Sequence, residues 1–196
     1  MTQKNAKHRH FILHKPYGYL SQLVNNQTRR KNKHLLGELY DFPKGTMAIG
    51  RLDENSEGLL LLTTDGKLSE HIRSCKVTKE YYVQVDGVIN DAAIALLQKG
   101  IKIGLDGGHY ITKPCKAFYV DSVAHLPIAD RNIRDARYGP TSWLRLIITE
   151  GKFRQVRKMT AAVGFPTLRL VRVGVGAVQL HLEAMEVLEV ERFIEF

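Results

Sequence analysis

Three short stretches of the chain set ionisable or aromatic side chains beside a turn or a strand. The first is GRLDENSEGLLLLTTDG, residues 50–66. Asp53, Glu54 and Glu57 gather behind Gly50 and Arg51, then run into Leu59–Leu62, in a chain that is otherwise basic. A glycine after a strand allows a sharp turn or the close approach of a ligand, which puts Asp53 at the tip of that turn. Such an acid suits a chemical task; it equally suits capping the turn to Glu57 with Arg51 at its side. The three carboxylates together would also suit metal-assisted hydrolysis. The second stretch is Lys79-Glu80-Tyr81-Tyr82-Val83. In a strand the two tyrosines face opposite ways, so one can enter a cleft while the other packs; both can also serve packing alone. The third is EGKFRQVRKM, residues 150–159. A glycine turn feeds a helix whose Arg154, Arg157 and Lys158 emerge together at i, i+3 and i+4. Free N–H groups and forked guanidinium groups suit phosphate. The same pattern also fits a solvated basic face, or an arginine turned inward to meet a buried acid.

The surrounding charge narrows the choice. The net charge is +9 over 196 residues, and it is uneven. Residues 1–37 hold Lys4, Lys7, Arg9, Lys15, Arg29, Arg30, Lys31 and Lys33 and no acid. Residues 145–172 hold seven arginines and lysines against Glu150, whereas the tail from 181 is acidic. Two basic regions on either side of the acid-bearing turn point to a polyanion, above all nucleic acid. Phosphate-loop and dinucleotide-binding patterns are absent, which removes support for nucleotide-triphosphate chemistry. The histidines lack metal-ligand spacing, and no nucleophile-elbow serine appears. Cys75 and Cys115 form neither a disulfide scaffold nor a metal motif and fit a reducing compartment. With no apolar run near the roughly 20 residues that span a bilayer and no signal-peptide core, the expected location is cytoplasmic.

The elements that must carry these side chains follow from periodicity and punctuation. Residues 1–9 read as a disordered basic tail and 25–34 as a mobile basic loop. Strands are expected at 11–13, 47–49, 59–63, 81–85, 143–149, 168–173 and 185–190. A hairpin is expected from 101–105 and 109–120 around Asp106-Gly107-Gly108. Short helices are expected at 35–40 and through Leu68, Ile72 and Cys75. Another runs from an Asn90 cap to Gly100. A fourth carries Phe153, Val156, Met159 and Val163 on one face until Gly164 and Pro166 stop it. Residues 121–140 read as a long loop. Tight turns and an excess of strands favour a mainly antiparallel α+β sheet.

The ordered set Lys15-Pro16-Tyr17-Gly18, GRLDENSEGLLLLTTDG, Lys79-Glu80-Tyr81, and EGKFRQVRKM with GFPTLRLVR behind it closely resembles the pseudouridine synthases of the RsuA, RluB, RluE and RluF branch. It spans about residues 11–173. YYVQVDG, PTSWL and the lack of an N-terminal S4-type RNA-binding module are most similar to the RluE group. The resemblance implies an α+β pseudouridine synthase fold: a mainly antiparallel mixed sheet in two lobes flanked by helices, with a central catalytic cleft. It implies a catalytic domain over 10–196, no cofactor, no metal, a monomer, and a partner in 23S ribosomal RNA. By the same resemblance Asp53 is the catalytic aspartate, Tyr81 the ring that stacks on the target base and helps remove its C5 proton, and Arg157 the aspartate's basic partner. Leu170 is an apolar wall under the base. Arg51, Arg154, Lys158, Arg29, Arg30 and Lys31 are candidates for holding RNA.

The chemistry suits these residue types. Pseudouridine forms when the N1–C1′ bond breaks, uracil turns, and C5 joins C1′, so no cosubstrate is consumed. A carboxylate can attack sugar or base, or act on the C2′ proton. Burial disfavours its charge and a paired arginine opposes that, which gives an Asp53–Arg157 pair a purpose. Flipping the base out costs a few kcal/mol, and stacking on Tyr81 recovers on the order of 1–3 kcal/mol. The stretch GAVQLHLEAMEVLEV departs from the glycine-containing pattern of relatives. Two other classes share these features: a ribosome-associated binding protein on the same scaffold, and a metal nuclease using Asp53, Glu54 and Glu57.

Overall fold

The computed structural model describes residues 7–24, 33–74, 77–129, 131–134 and 136–193. Arg29, Arg30, Lys31 and Cys75 therefore lie outside the described residues, as does most of the expected basic loop. The chain divides into two compact units, residues 1–75 with 180–196, and residues 76–179.

The first unit opens with β1 (His10–Lys15) and two short parallel strands, β2 (Tyr19–Leu20) and β3 (His34–Leu35). β4 (Met47–Ala48) and β5 (Glu57–Thr63) follow, then helix α1 (Gly66–Ser74). β5 is buried at every residue, as an unbroken apolar run requires of a strand covered on both faces. Its register with β1 sets Phe11 opposite Leu62 and Leu13 opposite Leu60. These four and Leu36 form the unit's core, with Leu23, Leu39 and Phe42 packed on it. On the other face His10 lies opposite Thr63, bonds its hydroxyl at 2.9 Å and packs on Phe193. Asp65 starts α1 by accepting from the backbone of Lys67 and Leu68.

The second unit is contiguous. It contains β6 (Lys79–Asp86), α2 (Asp91–Lys99), β7 (Lys102–Leu105), β8 (Gly108–Ile111) and β9 (Lys116–Val120). β10 (Thr141–Ile148), α3 (Gln155–Ala162), β11 (Thr167–Val175) and β12 (Val178–Gln179) complete it. Its main sheet runs β12-β11-β6-β10-β9, antiparallel throughout, and β7 and β8 form a separate hairpin. Asn90 caps α2 with a 2.9 Å bond from Ala93 N. Gly100 ends it at φ +96°, where a Cβ would collide with the Thr112 carbonyl, so only glycine fits. The chain then returns to the first unit with β13 (Val187–Val190), antiparallel to β1. The architecture is α+β, as expected.

Four local expectations change. The short helix expected at 35–40 is reduced to a 3-10 helix at Leu36–Glu38, because Leu35 pairs with Leu20 in β3–β2. The hairpin limb expected over 109–120 is broken at 112–115, because β8 pairs with β7 whereas β9 pairs with β10. Met185 has φ +72° and sits in a turn, so the last strand starts two residues later. Phe153 precedes α3 and is exposed rather than sharing its apolar face. Of the expected basic tail, Lys7 and Arg9 are described, and they pair with Glu191 and Glu189 of the acidic tail.

Candidate active site

Hydrogen bonds to its backbone groups help hold the turn at 50–56. Gly50 takes φ +73°, a conformation that other residues adopt only at a cost, and swings the chain away from β4. Ser21 then clamps Leu52 twice, accepting from its N–H at 3.0 Å and donating to its carbonyl at 2.8 Å. Asp53 closes the turn by its carbonyl, which accepts from Ser56 N at 3.0 Å. The Glu54 carbonyl accepts from Gly18 N at 2.9 Å. Lys15, 0% exposed, donates to the carbonyls of Pro16, Glu54 and Ser56 at 2.8, 3.3 and 2.7 Å. The Lys15-Pro16-Tyr17-Gly18 segment is thus the bracket of the Asp53 turn. Asp53 itself is half-exposed and Arg51 is exposed. The neighbouring acids are engaged elsewhere. Glu54 pairs with Lys33, and Glu57 is the buried first residue of β5. Among the described residues no three acids, histidines or cysteines are placed to hold a metal ion.

In the second unit Tyr81 lies in β6, directly opposite Leu146 of β10 and Arg172 of β11. Directly opposed residues of antiparallel strands share a face, and two-residue periodicity adds Leu170, which faces Val83. Tyr81, Leu170 and Arg172 therefore line one side of the sheet, with Tyr81 8% exposed. Tyr82 faces the other way against His125. In the same motif Glu80 takes Arg145 at 2.6 Å. Burial, and then the Arg172 charge, hold the Lys79 ammonium below its ordinary pKa.

The third stretch is organised by Glu150. Its carboxylate accepts from Tyr110 hydroxyl at 2.6 Å, Lys113 N at 2.9 Å and Gln155 Nε2 at 2.6 Å, tying the β7–β8 hairpin to the start of α3. Burial pushes the Glu150 pKa up, but those hydrogen bonds outweigh it and hold the group below the usual carboxylate range. Arg154 occupies the cap position ahead of α3 in the left-handed region, φ +52°, a strain of roughly 1 kcal/mol or more for a non-glycine residue. Inside the helix Val156 and Met159 are buried, and Thr160 shares a 2.7 Å hydroxyl bond with Thr167 of β11. Arg157 is one turn before that anchor, on the same side of α3, and half-buried. Lys158 lies over the Phe153 ring, 5.1 Å from its centre.

Each candidate among the described residues thus has a place. Arg51 and Asp53 share one locked turn in the first unit. Tyr81 and Leu170 share one sheet face in the second, where Arg154, Arg157 and Lys158 share the start of α3. Sequence reasoning missed the supporting residues: Lys15 as a buried donor, Ser21 as a double clamp, Glu150 and Gln155 as a hub, and the burial of Arg169 and Arg172. Two arginines inside the apolar run of β11 were the available signal for the last pair. Nothing local marks Ser21.

Residues 9–162 match the model of a family described as RNA pseudouridylate synthase. The chain is 42% identical over 167 residues to ribosomal large subunit pseudouridine synthase E of Xanthomonas axonopodis pv. citri (strain 306), a match covering 84% of each chain. It is 41% identical over 175 residues to the protein of the same name from Vibrio parahaemolyticus serotype O3:K6 (strain RIMD 2210633), covering 86% of this chain and 68% of that one. A solved structure described as a pseudouridylate synthase superposes with a TM-score of 0.74 at 26% identity, covering 96% of this chain and 72% of the other.

Proposed function

The chain belongs to the RNA pseudouridylate synthase family, and from that premise we propose that it isomerises one uridine of large-subunit ribosomal RNA, the 23S species, to pseudouridine. It is an isomerase: the glycosidic bond moves from N1 to C5 of the same base, and nothing else is consumed. Asp53 is the catalytic carboxylate, Tyr81 stacks on the flipped base and serves its C5 proton, and Arg157 supplies the positive charge of the reaction centre. Leu170 is the apolar wall beside Tyr81. Arg51, Arg154 and Lys158, with Arg29, Arg30 and Lys31, hold the RNA backbone. The working form is a monomer in the cytoplasm with residues 10–196 as its catalytic domain, needing neither metal nor cofactor.

The observation that carries this reading is the turn at 50–56. Ser21, Gly18 and Lys15 together engage the carbonyls of Leu52, Glu54 and Ser56, and Asp53 between them is partly buried. So rigid a mount for the backbone around an acid is what preorganised catalysis asks for.

The test is Asp53→Asn, an isosteric change that removes the charge. The variant should bind ribosomal RNA as the wild type does and form no pseudouridine, read by mapping the modified base after incubation with large-subunit RNA from cells lacking the gene. Wild-type turnover in Asp53→Asn would reject the role. Mapping in cells with and without the gene identifies the target uridine.

A further inference from the structure

Beside the Asp53 turn the first unit carries two hollows that catalysis at Asp53 does not use. One, of about 300 Å³, is lined by Ser21, Thr46, Met47, Ala48 and Arg51 among others. The second, of about 410 Å³, is lined by Tyr40, Asp41, Phe42 and Lys44 among others. Leu23, Val24 and Thr46 line both, so the two adjoin across a shared wall as a two-chambered groove. Each is of the size that holds a small ligand, roughly 300–1,000 Å³. Arg51 at one end stands two residues before Asp53 in the same turn.

We propose that this groove is a subsite of the substrate RNA, seating two single-stranded nucleotides next to the target uridine. The inference rests on the function proposed above and extends it. The chemistry of the walls is that of single-strand recognition, in which flat apolar or aromatic surfaces meet base faces and a few cations meet phosphate. Val24 and Met47 are unusually exposed for their types and offer apolar surface in the first hollow. Tyr40, held against Phe11 and Phe42, presents part of its ring in the second. Arg51 and Lys44 serve phosphates at the two ends, and Asp41 accepts from the exocyclic amine of a base. Because Ser21 both lines the groove and clamps Leu52, occupancy of the groove bears directly on the mount of Asp53.

The experiment uses a short RNA containing the mapped target uridine, with 4-thiouridine placed one, two or six nucleotides away. Photocrosslinks from the near positions should fall on residues 23–24 or 44–47, and those from the distant position should not. Met47→Trp, which fills the first hollow, should raise KM roughly tenfold while leaving kcat within about twofold. Lys44→Glu should do likewise, with a shallower salt dependence of RNA binding. Circular dichroism and melting confirm that both variants fold. Unchanged KM in both, or near-position crosslinks confined to other segments, overturns the groove. If the wild type makes no pseudouridine, RNA affinity by fluorescence anisotropy replaces KM. Weaker binding by both variants then upholds the groove while the isomerase reading fails, and unchanged binding removes both.

Discussion

Replacing Lys15 with methionine isolates the bracket of the Asp53 turn. Methionine keeps most of the apolar stem and removes the ammonium. The native Nζ donates at 2.7 and 2.8 Å to Ser56 and Pro16 and at 3.3 Å to Glu54. The Glu54 carbonyl keeps its bond from Gly18 N, so the loss falls on the other two. A buried carbonyl deprived of its donor costs about 1–3 kcal/mol, which gives about 2–6 kcal/mol for the pair. Part of this is recovered because the variant no longer holds an ammonium out of water. The balance is a loss of about 2–4 kcal/mol, or a Tm lower by roughly 5–15 °C for a chain of this size. Urea unfolding monitored by circular dichroism measures it. Because the lost bonds anchor the segment that flanks Asp53, kcat measured well below the new Tm should also fall by tenfold or more, with RNA affinity little changed. A variant within 1 kcal/mol of wild type and with full kcat would refute the argument that Lys15 holds the turn.

Arg157→Ala should depress kcat far more than RNA affinity; a loss confined to affinity would make Arg157 a phosphate contact. Tyr81→Phe should keep RNA binding, since the ring remains, and lose turnover at the proton step, as single-turnover assays would reveal. Burial, chiefly, holds the His10 pKa below its ordinary value, so the folded state disfavours protonation. Its stabilisation is complete above the ordinary value near 6.5 and is lost as pH falls from there through the lower folded value. His10→Gln should flatten that fall, read as urea midpoints at pH 7.5 and 5.5. Glu150→Gln keeps the shape but weakens the bonds from Tyr110, Lys113 and Gln155. It should cost about 1–3 kcal/mol and slow turnover by loosening the start of α3, with its Arg154 and Arg157.

Some of this was legible in the sequence for local reasons. The α2 cap, Asn90 accepting from Ala93, and its stop at Gly100 are written within a dozen residues. The β-branched and aromatic run of β6 and the unbroken leucines of β5 need little context. Asp53 stood out because a glycine turn and a buried strand flank it. The helix at 35–40 is shorter than read because leucines at 35, 36 and 39 match a helical spacing, whereas Leu35 is taken by Leu20, its partner in a parallel strand pair. Phe153 failed because Arg154 turns into the left-handed region and moves the helix start past it. Lys15 reads as one more surface cation until its partner Ser56, 41 residues on, is placed beside it. The pairs that Lys7 and Arg9 make with Glu191 and Glu189 were not legible, because these acids lie some 180 residues away in the sequence.

That closure of β1 by β13 has a consequence for biosynthesis. His10 and Val190 are register partners, so the first strand leaves the ribosome long before its outer neighbour exists. At roughly 5–20 residues per second, the wait lasts on the order of 10–35 seconds. The contiguous stretch 76–179 has all its own strands by then, while the edge of His10–Lys15 stays open to other chains until Val187–Val190 is made. Deleting Val187–Val190 should therefore harm solubility out of proportion to the few residues removed.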